Sequence, residues 1–175
     1  MENLLAVTAI GPDRAGLVRD LSQTITSAGG NIQESRMVTL GSEFAIIMLV
    51  SGNWHTVTKV QQQLQALGAR TDLTINVRET KTRIGGESAP YVVDVVALDQ
   101  EGIVYGLSNF FASRELEIAE VTSRRYNAPH TGANMFSVQM TVNVPRTLHL
   151  ATLREDLMEY CDEHNLDAVF EPAHR

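Results

Sequence analysis

A short polar turn, Gly11-Pro12-Asp13-Arg14-Ala15-Gly16-Leu17, separates an apolar run of strand character, Leu4 to Ile10, from an apolar stripe at helical spacing. The pattern returns as Asp99-Gln100-Glu101-Gly102-Ile103, after the run Tyr91 to Leu98. Setting Gly16 on Gly102 fixes an offset of 86 residues. The same offset brings Leu17 onto Ile103, Val18 onto Val104, Leu21 onto Leu107, Ile25 onto Phe111 and Ile32 onto Ile118. Five apolar pairs on one offset indicate an internal duplication in tandem.

Each copy carries the same order of periodicities. In the first, the stripe Leu17, Val18, Leu21, Ile25, Ala28 closes at Gly29-Gly30, residues that tolerate positive φ. Asn31 to Leu40 and Phe44 to Val50 then read as a hairpin through Gly41-Ser42, with Leu4 to Ile10 as a buried central strand and Phe44 to Val50 as a second continuous apolar strand. Ser51-Gly52-Asn53 breaks the chain. Val57, Val60, Leu64 and Leu67 mark a second helix opened by Trp54 as an apolar anchor, and Leu73, Ile75 and Val77 alternate as a half-exposed strand. In the second copy the elements are Tyr91 to Leu98, a helix with Ile103, Val104, Leu107, Phe110 and Phe111, and strands Ile118 to Tyr126 and Phe136 to Val142. A helix with Leu150, Leu153, Leu157 and Tyr160 or Cys161, and a last strand at Ala168 to Phe170, complete it.

The expected fold class is α+β, two tandem ferredoxin-like βαββαβ domains whose antiparallel sheets carry their helices on one face. The domains are expected at residues 1–80 and 90–175, with 81–89 as linker, where Gly85-Gly86-Glu87-Ser88 shows neither periodicity. One face of each sheet is left without helices. The apolar strand Phe44 to Val50 therefore suggests domain pairing or a homo-oligomer.

Charge narrows the function. Residues 1–87 hold eight acids and eight bases; residues 88–175 hold thirteen acids and six bases and carry the whole net charge of -7. An acidic chain without a basic face is a poor binder of duplex DNA, so an action on transcription would pass through another protein. No apolar run approaches the roughly 20 residues of a membrane span, and Met-Glu-Asn-Leu-Leu lacks the basic start of a signal peptide, so the expected location is cytoplasmic. A single cysteine, Cys161, leaves no intrachain disulfide and fits a reducing compartment.

A strand feeding a Gly-containing turn into a helix presents backbone N–H groups to a small anion or carboxylate. In the first turn Asp13 can cap the helix, Arg14 offers a forked donor and Gly16 admits close approach. An amino acid carries both charges these groups would meet. Asn31, placed at the same end of the sheet, would supply a neutral donor and acceptor. The bland reading makes Asp13 a cap, Arg14 a solvated charge and Gly16 a turn residue. The second turn, with Asp99 and Glu101 and with Glu117 in the place of Asn31, is all acidic.

Other constellations are poor. Cys161 and His164 stand three apart on one helix, half a metal site without a second pair. His55, His130, His149 and His174 are scattered, no Gly-flanked nucleophile or Walker loop is present, and Arg124-Arg125 alternate to opposite faces of a strand as ion-pair partners. No acid and base are paired for catalysis, and nothing calls for a cofactor or metal. An enzyme is therefore not expected.

Strand, Asp-Arg-x-Gly turn, helix and Gly-Gly-Asn-Ile, all twice in tandem, resembles the ACT domains that sense small metabolites, mostly amino acids. More specifically, Ile10 to Val18, Gly30-Asn31-Ile32-Gln33-Glu34-Ser35-Arg36, Leu40 to Phe44 and Ile47 to Trp54 resemble the glycine cleavage system transcriptional repressor family. That similarity runs through residues 4 to 80, and the second half follows it in architecture and at Glu117-Ile118-Ala119-Glu120. Position 15 departs from it, with Ala15 where that family usually has Pro. The resemblance implies a non-enzymatic, amino-acid-responsive regulator, glycine being the first ligand to try, that represses by binding an activator of the LysR type. Its implied ligand residues are Asp13, Arg14, Ala15, Gly16 and Leu17, closed by Asn31 and Ile32, with a second set at Asp99, Glu101, Gly102 and Ile103. A ligand-independent interaction module of the same fold is the alternative.

Overall fold

A computed structural model describes residues 3–82 and 86–173. The chain divides into two compact units, residues 1–83 and 84–175. The first runs β1 (Asn3–Pro12), α1 (Leu17–Ser27), β2 (Asn31–Leu40), β3 (Glu43–Gly52), α2 (Trp54–Arg70) and β4 (Thr74–Thr80). Its antiparallel sheet has the order β2-β3-β1-β4. The second runs β5 (Ser88–Leu98), α3 (Ile103–Ala112), β6 (Glu117–Asn127), β7 (Asn134–Pro145), α4 (Leu150–Glu163) and β8 (Asp167–Pro172), with the order β6-β7-β5-β8. Both are ACT-like βαββαβ units.

The two most apolar strands of each unit sit at the centre of its sheet, because a central strand has a neighbour on either side and its backbone is fully paired. Alternation then decides which side chains are buried. On β1 these are Leu5, Val7 and Ala9, and on β3 Phe44, Ile46, Met48 and Val50; they meet Leu17, Leu21 and Ile25 of α1 and Val57, Val60 and Leu64 of α2. Val93, Val95, Val138, Met140 and Val142 repeat this against Leu107, Phe111, Leu153 and Leu157 in the second unit. Each large aliphatic or aromatic residue so buried contributes roughly 1.5–3 kcal/mol. Leu4 to Ile10 is thus central but buried on one face only, since Ile10, on the other face, is exposed.

Three local expectations are corrected. Ser51-Gly52 does not break the chain but completes β3, paired with Leu4 and Asn3. Ser88 and Ala89 are not linker but the start of β5, opposite Pro145 and Val144; part of the expected linker, residues 83–85, lies outside the described residues. Trp54 is no anchor. It stands at the first position of α2, 65% exposed, its ring edge-on to His55 at 5.1 Å, because Asn53 caps that helix by accepting from Thr56 N–H at 2.9 Å and the apolar stripe begins only at Val57.

The duplication extends to backbone detail. Gly16 and Gly102 both hold left-handed backbone at the helix N-cap, with φ of 92° and 85°. The same offset carries Gly29, φ 89°, onto Glu115, φ 57°. It also carries the β-bulge between Ile32 and Glu34 onto one between Ile118 and Glu120. Glu115 is therefore a side-chain-bearing residue in a conformation its counterpart meets with glycine. Glu115→Gly is expected to stabilise the second unit by about 1 kcal/mol and Gly29→Glu to destabilise the first by a similar amount, measured by chemical denaturation.

Candidate functional site

At the first turn β1 passes into α1 through Gly11 and Gly16, glycines for different reasons. A Cβ on Gly11 would overlap the Asp72 carbonyl, whereas Gly16 is fixed by its positive φ. Helix α1 begins without a side-chain cap. This corrects the reading of Asp13 as the cap: its N–H donates to the Ser42 carbonyl at 2.8 Å, which ties the turn to the β2–β3 hairpin, and its carboxylate is exposed. The first-turn amides of α1 thus have no side-chain cap and stand at the positive end of the helix dipole.

Beside these amides lies a carboxylate clamp. Arg14 Nη2 donates to Asp20 Oδ2 at 3.0 Å and Arg14 Nη1 to the Ala15 carbonyl at 3.3 Å; Arg19 donates to Asp20 Oδ1 through Nη2 at 2.8 Å and Nε at 3.1 Å. The hydrogen bonds from Arg19 and then Arg14 hold the Asp20 carboxyl below its usual pKa of 3.8. Arg14 is therefore ion-paired while half of its side chain remains exposed. The geometry shows two guanidinium groups converging on one carboxylate beside an uncapped helix start, an arrangement suited to carboxylate recognition. Arg19 and Asp20 did not stand out from sequence. The available signal was an acid in the first turn of α1, one residue from one arginine and six from the other.

The register moves Asn31. It pairs with Ser51, which also faces Leu4, so Asn31 lies level with the start of β1. Gly11 is seven residues further along, about 23 Å at ~3.3 Å per residue. Asn31 is consequently at the end of the sheet opposite the turn, because α1 must run back across the sheet before β2 can begin. Ile32 packs against the core of the first unit. What does adjoin the turn is the hairpin, with Glu43 opposite Pro12 and Ser42 bonded to Asp13.

The second turn repeats the backbone and changes the charge. Asp99 N–H donates to the Asn134 carbonyl at 2.9 Å, as Asp13 does to Ser42. The Asp99 carboxylate, however, meets Arg125 of β6 at 2.5 Å, so the turn is not all acidic. Glu101 and Gly102 are exposed and Ile103 is buried. Glu117 lies at the far end of the sheet, opposite Asn143, from whose side-chain amide it accepts at 3.3 Å; it does not ring this turn.

The second unit holds a feature that sequence reasoning missed, a hollow of about 770 Å³ between α3 and α4 that reaches Gly102. Its walls include Tyr160, whose hydroxyl occupies the space a side chain at Gly106 would take, and Arg114, which lies over the Phe110 ring at 3.8 Å and bonds to Asp156 at 3.1 Å. A glycine in mid-helix was the available signal. Cys161 points into the core, and burial pushes its thiol up to about 11. His164 stacks on Tyr160 at 4.2 Å with Nδ1 2.8 Å from the Tyr160 carbonyl oxygen. The two do not face a common metal position. His149 caps α4, accepting from Thr152 N–H at 3.4 Å, and Arg124 lies over the Tyr126 ring at 5.4 Å.

Because Asp20's folded pKa is depressed, its ion pairs persist through neutral pH and are lost only as pH falls through a value below 3.8. In a carboxyl NMR titration, Arg14→Ala and Arg19→Ala should each raise the Asp20 midpoint toward 3.8, Arg19→Ala by more.

A sequence model of the ACT domain matches residues 3–78. The glycine cleavage system transcriptional repressor of Escherichia coli K12 is 32% identical over 165 residues, covering 94% of this chain and 87% of that protein, and that of Shigella flexneri gives the same figures. Among solved structures, a protein from Galdieria sulphuraria described only as unknown superposes with a TM-score of 0.86 at 27% identity, over 99% of this chain and all of that one. A crystal structure assigned as a candidate glycine cleavage system transcriptional repressor gives 0.75 at 27% identity, over 100% and 99% of the two chains.

Proposed function

The chain belongs to the glycine cleavage system transcriptional repressor family, a family of regulators rather than enzymes, and from that premise we propose that it senses an amino acid, glycine first, at the turn Asp13 to Leu17. The observation that carries this reading is the pair of arginines converging beside the uncapped start of α1. The ligand carboxylate would take the free amides of Leu17 and its neighbours and a share of Arg14; its ammonium would meet Asp13. Ala15 and Gly16 contribute backbone. Asn31 and Ile32 stand outside this site in a single domain. At Asp99, Glu101, Gly102 and Ile103 the arginine is already spent on Asp99 and no second cation among the described residues pairs with it, so that turn is assigned to structure.

The output is indirect repression of the glycine cleavage operon, through a bound activator protein of the LysR type, by a homo-oligomer of this chain. Its net charge of -7 fits contact with a protein better than contact with DNA phosphates. Glycine relieves repression if it binds the free and partner-bound forms with different affinity, a coupling of about 1–3 kcal/mol in typical cases.

One observation favours the rival, a ligand-independent interaction module: Asp20 already fills Arg14. The two readings separate in a thermal-shift series with each amino acid at millimolar concentration. Glycine at ~100 times its dissociation constant adds about 2.7 kcal/mol, so the melting temperature of the wild type rises while that of Arg14→Ala stays flat. Flat curves for every amino acid would leave the interaction module.

A further inference from the structure

Alternation leaves one face of each sheet bare of helices, and the two faces differ in chemistry. On the first sheet, Val38 of β2 pairs with Ala45 of β3, Ile47 stands beside it, and Leu49 and Ala6 follow. Ile47 is 52% exposed and Leu40, at the end of β2, 70%. Ala6, Ile47 and Leu49 line a hollow of about 230 Å³. In the second unit the same register positions carry Arg124 for Val38, Gln139 for Ile47 and Thr141 for Leu49, and Gln139 donates to Asp94 across the strands at 2.7 Å. One fold thus stands on both. The second face keeps Val169, 56% exposed, and Leu98, 66% exposed, at its margins, but since polar groups fill its centre the architecture does not require an apolar centre, and the apolar centre of the first face is there to be covered.

We propose that the bare face of the first sheet is a homodimer interface that packs against the same face of a second copy. The proposal rests on the homo-oligomer proposed above and names its surface. Four strands about 4.8 Å apart and about ten residues long present roughly 600 Å², so a symmetric pair buries about 1,200 Å², within the range of specific interfaces. The apolar strip has polar rims: Glu34 and Arg36, ion-paired at 3.1 Å on the β2 side, and Arg78, opposite Ala6 on the β4 side. An apolar centre with a charged rim is the layout of a protein interface. With an acid and a base together on one rim, a twofold axis sets each Glu34–Arg36 pair against groups of both signs, which suits self-association.

Sedimentation equilibrium on the full chain tests this. The wild type should have twice the chain mass at micromolar concentration, and Ile47→Glu should weaken dimerisation at least 100-fold, while Arg124→Glu on the second sheet should leave it unchanged. Ile47→Gln with Leu49→Thr, side chains the second unit carries at these positions, guards against misfolding and should weaken the dimer in the same direction, with circular dichroism unchanged. An oligomeric wild type indifferent to both sets of Ile47 changes overturns the surface and keeps the homo-oligomer. A wild type monomeric at 100 times that concentration overturns both, including the case in which the face is held by the activator protein.

Discussion

Each unit depends on one backbone constraint: the central strand must reverse into a helix that crosses back over its own sheet, and it does so through a single left-handed glycine, Gly16 or Gly102, at the helix start. An L side chain there costs about 1–2 kcal/mol. The turn is also tied by the amide of the first residue past the strand to a carbonyl of the neighbouring hairpin, Asp13 to Ser42 and Asp99 to Asn134. Position and orientation of the helix follow, and with them which residues of α1 and α3 meet the sheet. The uncapped helix start is a consequence of the same geometry, since glycine has no side chain with which to cap.

On this shared frame the two units have diverged electrostatically. The first turn gathers Arg14 and Arg19 around Asp20 on its own helix, close to the uncapped amides; the second spends Arg125, from the edge strand β6, on Asp99. The centres of the bare sheet faces diverge too, apolar in the first unit and holding the hydrogen-bonded Gln139 and Asp94 in the second. Both contrasts support the proposed division of labour, in which the first unit recognises a small carboxylate at one end and a second chain on its open face. The second unit keeps the greater share of negative charge.

The order of elements was legible in the sequence because strand and helix periods differ and the duplication read each element twice. The structure extends the offset of 86 to the bulge and to the positive φ at Glu115, which no glycine marks and the sequence alone did not announce. What was not legible depends on which end of a sheet a residue occupies. Asn31 and Glu117 follow the turns closely in sequence, yet an intervening helix carries the chain the length of the sheet away from them. Arg125 is remote in sequence from Asp99 and adjoins it through the hairpin register. Trp54 was misread because size was taken for burial, when the cap at Asn53 places it ahead of the buried stripe.

Glycine binding at the first turn is tested most directly by following backbone amide resonances of the full chain during a glycine titration. Ligand held at the start of α1 predicts saturable shifts centred on the amides of Ala15 to Arg19, with those of Gly102 to Tyr105 at the second turn unmoved. No saturable shift, or shifts centred instead on the α3–α4 hollow around Gly106 and Tyr160, would contradict it.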